Sequence, residues 1–339
     1  MKIFAYEHIT GGGCAGEPVR QALLAEAMLM LRALAGDLAA FTEVRTLCDA
    51  RFEDECGDWA QCLVRNHSEW ELCFDQLVRE TDATWLVAPE TGGVLERLST
   101  RVVSRGKRLL GSAPHAVALA ASKLATANAL TDAGVLIVPT RDAARSKMAG
   151  PCVVKPDDGC GCEDTRRFAQ AADAVAWIAA QPSPERFVTQ PYMKGDPISL
   201  CVVASATHVC LLSVNRQLIE LRDDAFCFRG CVVNAMADTG GKLASLAERT
   251  VAAIPGLHGY VGIDVLLTQD GPVVVEVNPR LTTSYAGLRS ALGINPAELI
   301  LKLMRNPTRY GLPPGRAVTV TVPVQPGRES AKDFNEYAI

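Results

Sequence analysis

The segment Tyr260-Val-Gly-Ile-Asp-Val-Leu-Leu267, Thr268-Gln-Asp-Gly-Pro272, Val273-Val-Val-Glu-Val-Asn-Pro-Arg280 decides the reading of this chain. Two β-branched, apolar runs flank an Asp-Gly turn, which is the pattern of a β-hairpin. A turn centred on Asp270 sets Asp264 directly opposite Glu276. Residues paired in this way have Cβ atoms roughly 4.5–5.5 Å apart, where like charges are destabilising. Side chains alternate along a strand, so Asn278 shares the face of Glu276. Two carboxylates and an amide oxygen therefore converge on one spot of an otherwise apolar hairpin. A hard divalent cation resolves such repulsion, because Mg²⁺ prefers carboxylate oxygens and substrate phosphates. The plain alternative is a pair of carboxylates on a solvated hairpin face.

Composition sets the frame. The chain has 339 residues, 48% hydrophobic and 21% charged, as in an ordinary globular protein long enough for two or three domains. A net charge of −4 gives no reason to expect nucleic acid or an anionic membrane as a partner. No apolar run reaches the roughly 18–20 residues of a membrane span, and the start lacks a signal-peptide core. The expectation is a cytoplasmic protein. Its 12 cysteines then read as reduced, small hydrophobic residues. The spacings Cys160-x-Cys162 and Cys227-x₃-Cys231 lack the paired C-x₂-C of a zinc site.

Residues 1–112 alternate between strands and helices. Strands are expected at Ile3–Tyr6, Val44–Leu47, Trp85–Pro89 and Arg108–Gly111, and helices at Pro18–Leu34, Glu71–Thr81 and Leu95–Arg105. Such alternation implies a parallel sheet, with ligands beyond the carboxyl ends of its strands. That edge holds Glu7, His8, Gly11–Gly13, Pro89, Glu90 and Thr91. Ala113–Ala133 is helical with a break at Ala121-Ser122-Lys123, where Ser122 suits an N-cap. Strands follow at Val135–Pro139, Cys152–Pro156 and Phe187–Gln190, with a helix at Ala169–Ala180. Ile198–Ala204, Val209–Val214 and Cys227–Val233 read as a mostly antiparallel sheet, and Lys242–Ala253 and Pro296–Met304 as helices. Ala317–Val322 is a last strand, and residues from about 325 onward are polar.

Lys155 ends a strand and precedes the loop Asp157-Asp-Gly-Cys-Gly-Cys162. Glycines let backbone N–H groups approach phosphate oxygens, and lysine adds a point charge. The loop is not a Walker A motif. Lys123 starts a helix, where a cation is locally unfavourable. Taken singly, each lysine reads as a solvated surface residue. Gln190-Pro-Tyr-Met193 could wall a flat heterocycle, or be a plain turn.

In order, these pieces run Lys123, Val-Val-Lys155-Pro with its glycine loop, Gln190-Pro-Tyr-Met-Lys-Gly, Gly-Ile-Asp264, and Glu276-Val-Asn278-Pro-Arg280. The set resembles the ATP-grasp superfamily over about 112–305, preceded by its usual α/β domain. The resemblance implies an α/β and α+β architecture: a Rossmann-like pre-domain (1–112), a small lobe with the glycine loop (113–190), a metal-bearing C-terminal lobe (191–324) and a tail (325–339). It implies ATP contacted by Lys123, Lys155, Gly159, Cys160, Gly161, Gln190, Pro191, Tyr192, Met193 and Asp196. Mg²⁺ or Mn²⁺ would sit on Asp264, Glu276 and Asn278, and Arg280 on the transferring phosphoryl group or the acyl phosphate, with Arg280 and Lys155 as the catalytic residues. Two positions depart from the pattern: Gln190 stands where Glu is frequent, and Pro197 where an acidic ribose ligand is common, with Asp196 beside it. Dimers are frequent in the superfamily, so a homodimer is the expectation by analogy.

Within the superfamily, Glu7-His-Ile-Thr-Gly-Gly-Gly13 is similar to the E-x-x-[ST]-G-G-G opening of the tyramine–L-glutamate ligases of methanofuran and methylofuran biosynthesis. Leu212-Ser-Val-Asn-Arg-Gln217 is similar to that subgroup as well. The implied reaction is an ADP-forming acid–amine ligation through an acyl phosphate, with an amino acid carboxylate and an amine as partners. Glu7, His8, Gly12, Gly13, Ser284, Tyr285 and Arg289 are the expected substrate contacts. The rival readings are a ligase of another acid–amine pair, a bicarbonate-using carboxylase-like enzyme, and an ATP-binding regulator without turnover.

Overall fold

The computed structural model describes residues 1–145, 149–306 and 311–322. The proposed tail, 325–339, lies outside them. The chain builds two sheets. The first is parallel, in the order β3-β2-β1-β4-β5, from β1 (Lys2–Glu7), β2 (Glu43–Asp49), β3 (Ala60–Val64), β4 (Ala83–Val87) and β5 (Arg108–Leu109). Its helices are α1 (Gln21–Ala39), α2 (Glu53–Cys56), α3 (His67–Glu80) and α4 (Val94–Ser104). This is the doubly wound arrangement that strand–helix alternation demands.

α5 (Pro114–Ala121) and α6 (Lys123–Asp132) follow, separated as expected at Ser122, whose Oγ accepts from the Ala125 N–H at 3.0 Å. The second, antiparallel sheet has ten strands. They are β6 (Arg141–Asp142), β7 (Cys152–Pro156), β8 (Arg166–Phe168), β9 (Phe187–Pro191), β10 (Asp196–Ala204), β11 (Val209–Arg222), β12 (Ala225–Met236), β13 (Gly259–Thr268), β14 (Gly271–Asn278) and β15 (Val318–Thr321). The remaining helices are α7 (Ala171–Ala179), α8 (Lys242–Ala253), α9 (Tyr285–Leu292) and α10 (Pro296–Arg305).

Alternation along the central strands separates two environments. Ile198, Leu200 and Val202 of β10, Ile263 of β13 and Val277 of β14 are buried against α5, α6 and α8. The intervening residues, Pro197, Ser199, Asp264, Glu276 and Asn278, line a cavity on the other face. Farther along that face, Cys201 and Val203 join a core shared with α9, α10, α1 and the first sheet. The two sheets are thus welded by one apolar cluster that includes Leu34, Trp85, Tyr260, Leu288 and Ile300.

Several expectations change. Val135–Pro139 is no strand: Ile137 makes an isolated bridge to Val274, and Pro139, without an N–H, cannot extend the ladder. α1 begins at Gln21 rather than Pro18, because the backbone is still extended at Arg20. β3, β8 and α9 were not anticipated. β11 runs well past Val214, to Arg222. The cysteines are not all free: Cys48 and Cys56 form a disulfide between β2 and the end of α2. Among the described residues no helix is long and apolar enough to cross a membrane.

Candidate active site

The acidic centre is made by register. The hairpin closes on Gln269–Asp270, with Thr268 paired to Gly271. That regular register would bring Val275 opposite Asp264. A bulge between Val265 and Asp264 absorbs one residue, so Asp264 pairs with Glu276 and Gly262 with Asn278. A bulge re-aims side chains in this way next to functional sites. On the neighbouring strands Ser199 pairs with both Asp264 and Asn215, which carries Gln217 onto the same face. Gln217 Nε2 donates to Asp264 Oδ1 at 2.9 Å, and Asn278 Nδ2 to Oδ2 at 3.3 Å.

Both lysines reach this centre. In β7, Val153 pairs with Gln190 and Lys155 with Val188, so Val153, Lys155 and Gln190 face the cavity together. Lys123 opens α6, and its ammonium is drawn back by the carbonyl oxygens of Asp157, at 3.3 Å, and Gly159. These contacts are the local reason that a cation stands at a helix N-terminus. Glu276 Oε2 lies 3.5 Å from Lys155 Nζ and 3.7 Å from Lys123 Nζ. All three side chains are largely shielded from water, with Lys155 only 6% exposed.

The charges follow from this packing. Burial pushes Glu276 up, but Lys123 and Lys155 outweigh it and hold the carboxyl at about 2. Burial, then the neighbouring Glu276 charge, raise Asp264 to about 8. Burial also lowers Lys155, against the pull of Glu276. The two lysines thus favour the charged form of Glu276, while burial and that neighbouring charge push Asp264 toward its neutral form. Among the described residues no group of three or more His, Cys, Asp and Glu side chains could hold a metal ion. The donors here are two carboxylates and amide oxygens, a set suited to a hard dication that takes its other ligands from phosphate and water.

The glycine loop covers this centre. Its Gly159, Gly161 and Cys162 line the cavity, and Gly161 and Cys162 both have φ of 62°. Cys162 is pushed up to about 12 by burial and the two carboxylates, so its thiol is neutral. The loop is tied to the first sheet: Thr91 Oγ1 donates to the Asp158 carbonyl at 3.0 Å and the Gly92 N–H to the Asp158 carboxylate at 2.8 Å. Cys160 lies beside Thr91, with Sγ 3.8 Å from Oγ1.

At the other end of the cavity lie Val138, Gln190, Pro191, Met193 and Leu266. Gln190 Nε2 donates to Thr140 Oγ1 at 2.9 Å. Tyr192 points away, stacked under Arg167 with the guanidinium carbon 5.5 Å from the ring centroid. Asp196 is exposed, and Pro197 rather than Asp196 lines the cavity.

Arg280 lines the opposite end and is clamped by Glu90 from the first domain, with Nε 3.0 Å and Nη2 2.9 Å from its carboxylate. Burial works against the guanidinium charge, and Glu90 more than offsets it, holding Arg280 above its ordinary value. Ser284 lines the same end. Tyr285 and Arg289 do not: both engage Asp37 of α1, Tyr285 through its hydroxyl at 2.8 Å. Glu7, His8, Gly12 and Gly13 also stand apart from the cavity. Glu7 accepts from the Thr10 N–H and hydroxyl, each at 2.7 Å, and His8 meets the Tyr6 hydroxyl at 3.1 Å. A Cβ on Gly12 would sit 2.0 Å from Val64 Cγ2, and one on Gly13 2.1 Å from His8 Nδ1. The triple glycine therefore closes a packed loop. The cavity adds Glu26, Phe226, Phe228, Thr282 and Thr283, which no motif announced.

Sequence and structure comparisons relate the chain to known proteins. An ATP-grasp domain model matches residues 120–284, and a pre ATP-grasp 3 domain model matches residues 42–117. A tyramine–L-glutamate ligase of Methanocaldococcus jannaschii is 28% identical over 289 residues, 84% of each chain. The solved structure of an ATP-grasp superfamily protein from Archaeoglobus fulgidus superposes with a TM-score of 0.72 at 23% identity, over 89% of this chain and 88% of that one. An L-amino acid ligase from Bacillus licheniformis superposes with a TM-score of 0.64 at 15% identity, over 90% and 74%.

Proposed function

This chain belongs to the ATP-grasp superfamily and is an ATP-dependent amide-forming ligase, and on that premise we propose that it joins L-glutamate to tyramine, releasing ADP and phosphate. The observation that carries the chemistry is the meeting of Lys123, Lys155, Asp264 and Glu276 in one cavity that also receives Arg280. The choice of substrates rests on the M. jannaschii relative and on the matching opening motif.

In this reading the triphosphate lies along the lysines, under the 159–162 loop, with the base between Met193 and Leu266. Phosphate oxygens replace Glu276 as partners of Lys123 and Lys155. Asp264, Glu276 and Asn278 would hold Mg²⁺ or Mn²⁺, which when bound offsets phosphate charge. The side-chain carboxylate of glutamate attacks the γ-phosphorus, its new P–O bond forming as the bond to ADP breaks. Arg280, held rigidly by Glu90, faces the acyl phosphate and stabilises its charge. The amine nitrogen then bonds to the acyl carbon, and phosphate leaves with the C–O electron pair. Incubating the purified protein with ATP, Mg²⁺, L-glutamate and tyramine tests the reading. Mass spectrometry should find glutamyl-tyramine in a one-to-one ratio with ADP. ATP binding without amide would overturn this substrate pair.

A further inference from the structure

Glu26 is an acidic side chain at the acyl end of the cavity that the chemistry above does not use. It projects from α1, outside both stretches matched by the family models. Its Oε1 accepts from the hydroxyl of buried Thr283, three residues beyond Arg280. Among the described residues it forms no ion pair, although Arg280 is close enough for the two charges to interact. Arg280 is already committed: Nε and Nη2 face Glu90, and Nη1 donates to the Leu281 carbonyl at 3.1 Å. The other two cations of the cavity, Lys123 and Lys155, face Glu276. The acyl end thus offers one carboxylate oriented by Thr283, with Thr282 and Ser284 also lining the cavity.

We propose that Glu26 is the specificity residue that receives the ammonium group of the amine substrate, which then releases one proton to water so that its nitrogen lone pair can attack the acyl carbon. This rests on the ligase reading and deepens it. A carboxylate that lacks an ion partner and is fixed by a neighbouring hydroxyl favours a cation. An α-amino acid would bring a carboxylate beside its ammonium and would need a free cation close by. Among the described residues the cations lining the cavity are paired, Arg280 with Glu90 and the two lysines with Glu276, so the fit is to a primary monoamine, which carries no acid group beside its ammonium. Electrostatic selection of this kind also rejects neutral nucleophiles, because they leave Glu26 without its partner.

Hydroxylamine is uncharged near neutral pH and traps acyl phosphates as hydroxamates, so it separates the two roles. The assay compares tyramine with hydroxylamine, at saturating ATP and L-glutamate, for the wild type and Glu26→Gln. The ratio of kcat/KM for tyramine to that for hydroxylamine should fall at least about tenfold in Glu26→Gln, through KM for tyramine. Glu26→Asp should recover part of it. An unchanged ratio overturns the proposal, including the case in which Glu26 serves the acid substrate and both reactions fall together. If Glu26→Gln does not fold, Thr283→Val carries the test: it removes the hydroxyl that orients Glu26, and an unmoved ratio is again contradictory. A wild-type protein that forms neither hydroxamate nor amide from glutamate overturns glutamate as the acid substrate, a result distinct from a failure of Glu26 alone.

Discussion

Glu276 stands between two lysines 3.5 and 3.7 Å away, and its charge organises the site before any nucleotide arrives. Replacing it by Gln removes the counter-charge of the two lysines but keeps the side chain's shape and an amide oxygen, so the fold should survive by circular dichroism. Turnover should fall by about 10²-fold or more, because the phosphates lose a metal ligand. Full ADP release by Glu276→Gln would contradict the assignment. His8 makes a separate prediction. Burial, helped by Arg97 and His67, lowers it from 6.5 to about 4. The folded state therefore resists a proton that the unfolded chain accepts. Its contribution is complete above pH 6.5 and is lost as pH falls toward 4, on the order of 3 kcal/mol. Denaturant titrations across that window should show a shallower slope for His8→Gln, and an identical slope would remove His8 as its source. Asp264, Glu276 and Asn278 could be read from sequence because one hairpin and strand alternation fix their meeting. Glu26 could not: a glutamate on a helix looks like any solvated residue until α1 docks beside Thr283. Tyr285 and Arg289 misled for the converse reason, since Asp37, their partner, lies some 250 positions earlier in the chain.

At the scale of elements, strands with strong alternation and helices with clear caps were legible. β7 and α8 occupy the spans their patterns indicate, and the α5–α6 break falls at Ser122. The bulge at Val275 was not legible, because nothing in Val273-Val-Val marks which residue is extruded. β8 is three residues long and depends on pairing with β7 and β12, so its local signal is weak. The 157–162 loop was recognisable from its glycines, but its tether was not. Asp158 accepts from the Gly92 N–H and lies 3.5 Å from Arg186. Asp158→Ala should free the loop and raise KM for ATP by about threefold to tenfold, the worth of one charge-assisted hydrogen bond at a partly exposed site. Steady-state kinetics decide it: an unaltered KM would mean that the tether does not position the loop.

Over the whole molecule, the first domain completes the site instead of merely preceding it. α1 brings Glu26, the segment after β4 brings Glu90 and Thr91, and one apolar core joins both sheets. Glu90 is 5% exposed, so removing it leaves the buried Arg280 guanidinium without its hydrogen-bonded counter-charge. Glu90→Ala should cost about 3–5 kcal/mol in denaturant unfolding. A loss below about 1 kcal/mol would show that water or another group replaces it readily. Sequence order announced the architecture, because the ordered motifs are local. It was silent on this junction, which forms only when distant segments pack.

The central claim is that a substrate carboxylate takes the γ-phosphoryl group before the amine arrives. Its most direct test is to supply L-glutamate labelled with oxygen-18 in its side-chain carboxyl group, together with ATP, Mg²⁺ and tyramine, and to weigh the released phosphate. The account predicts transfer of one labelled oxygen from each glutamate into inorganic phosphate. Amide formation with unlabelled phosphate would contradict it.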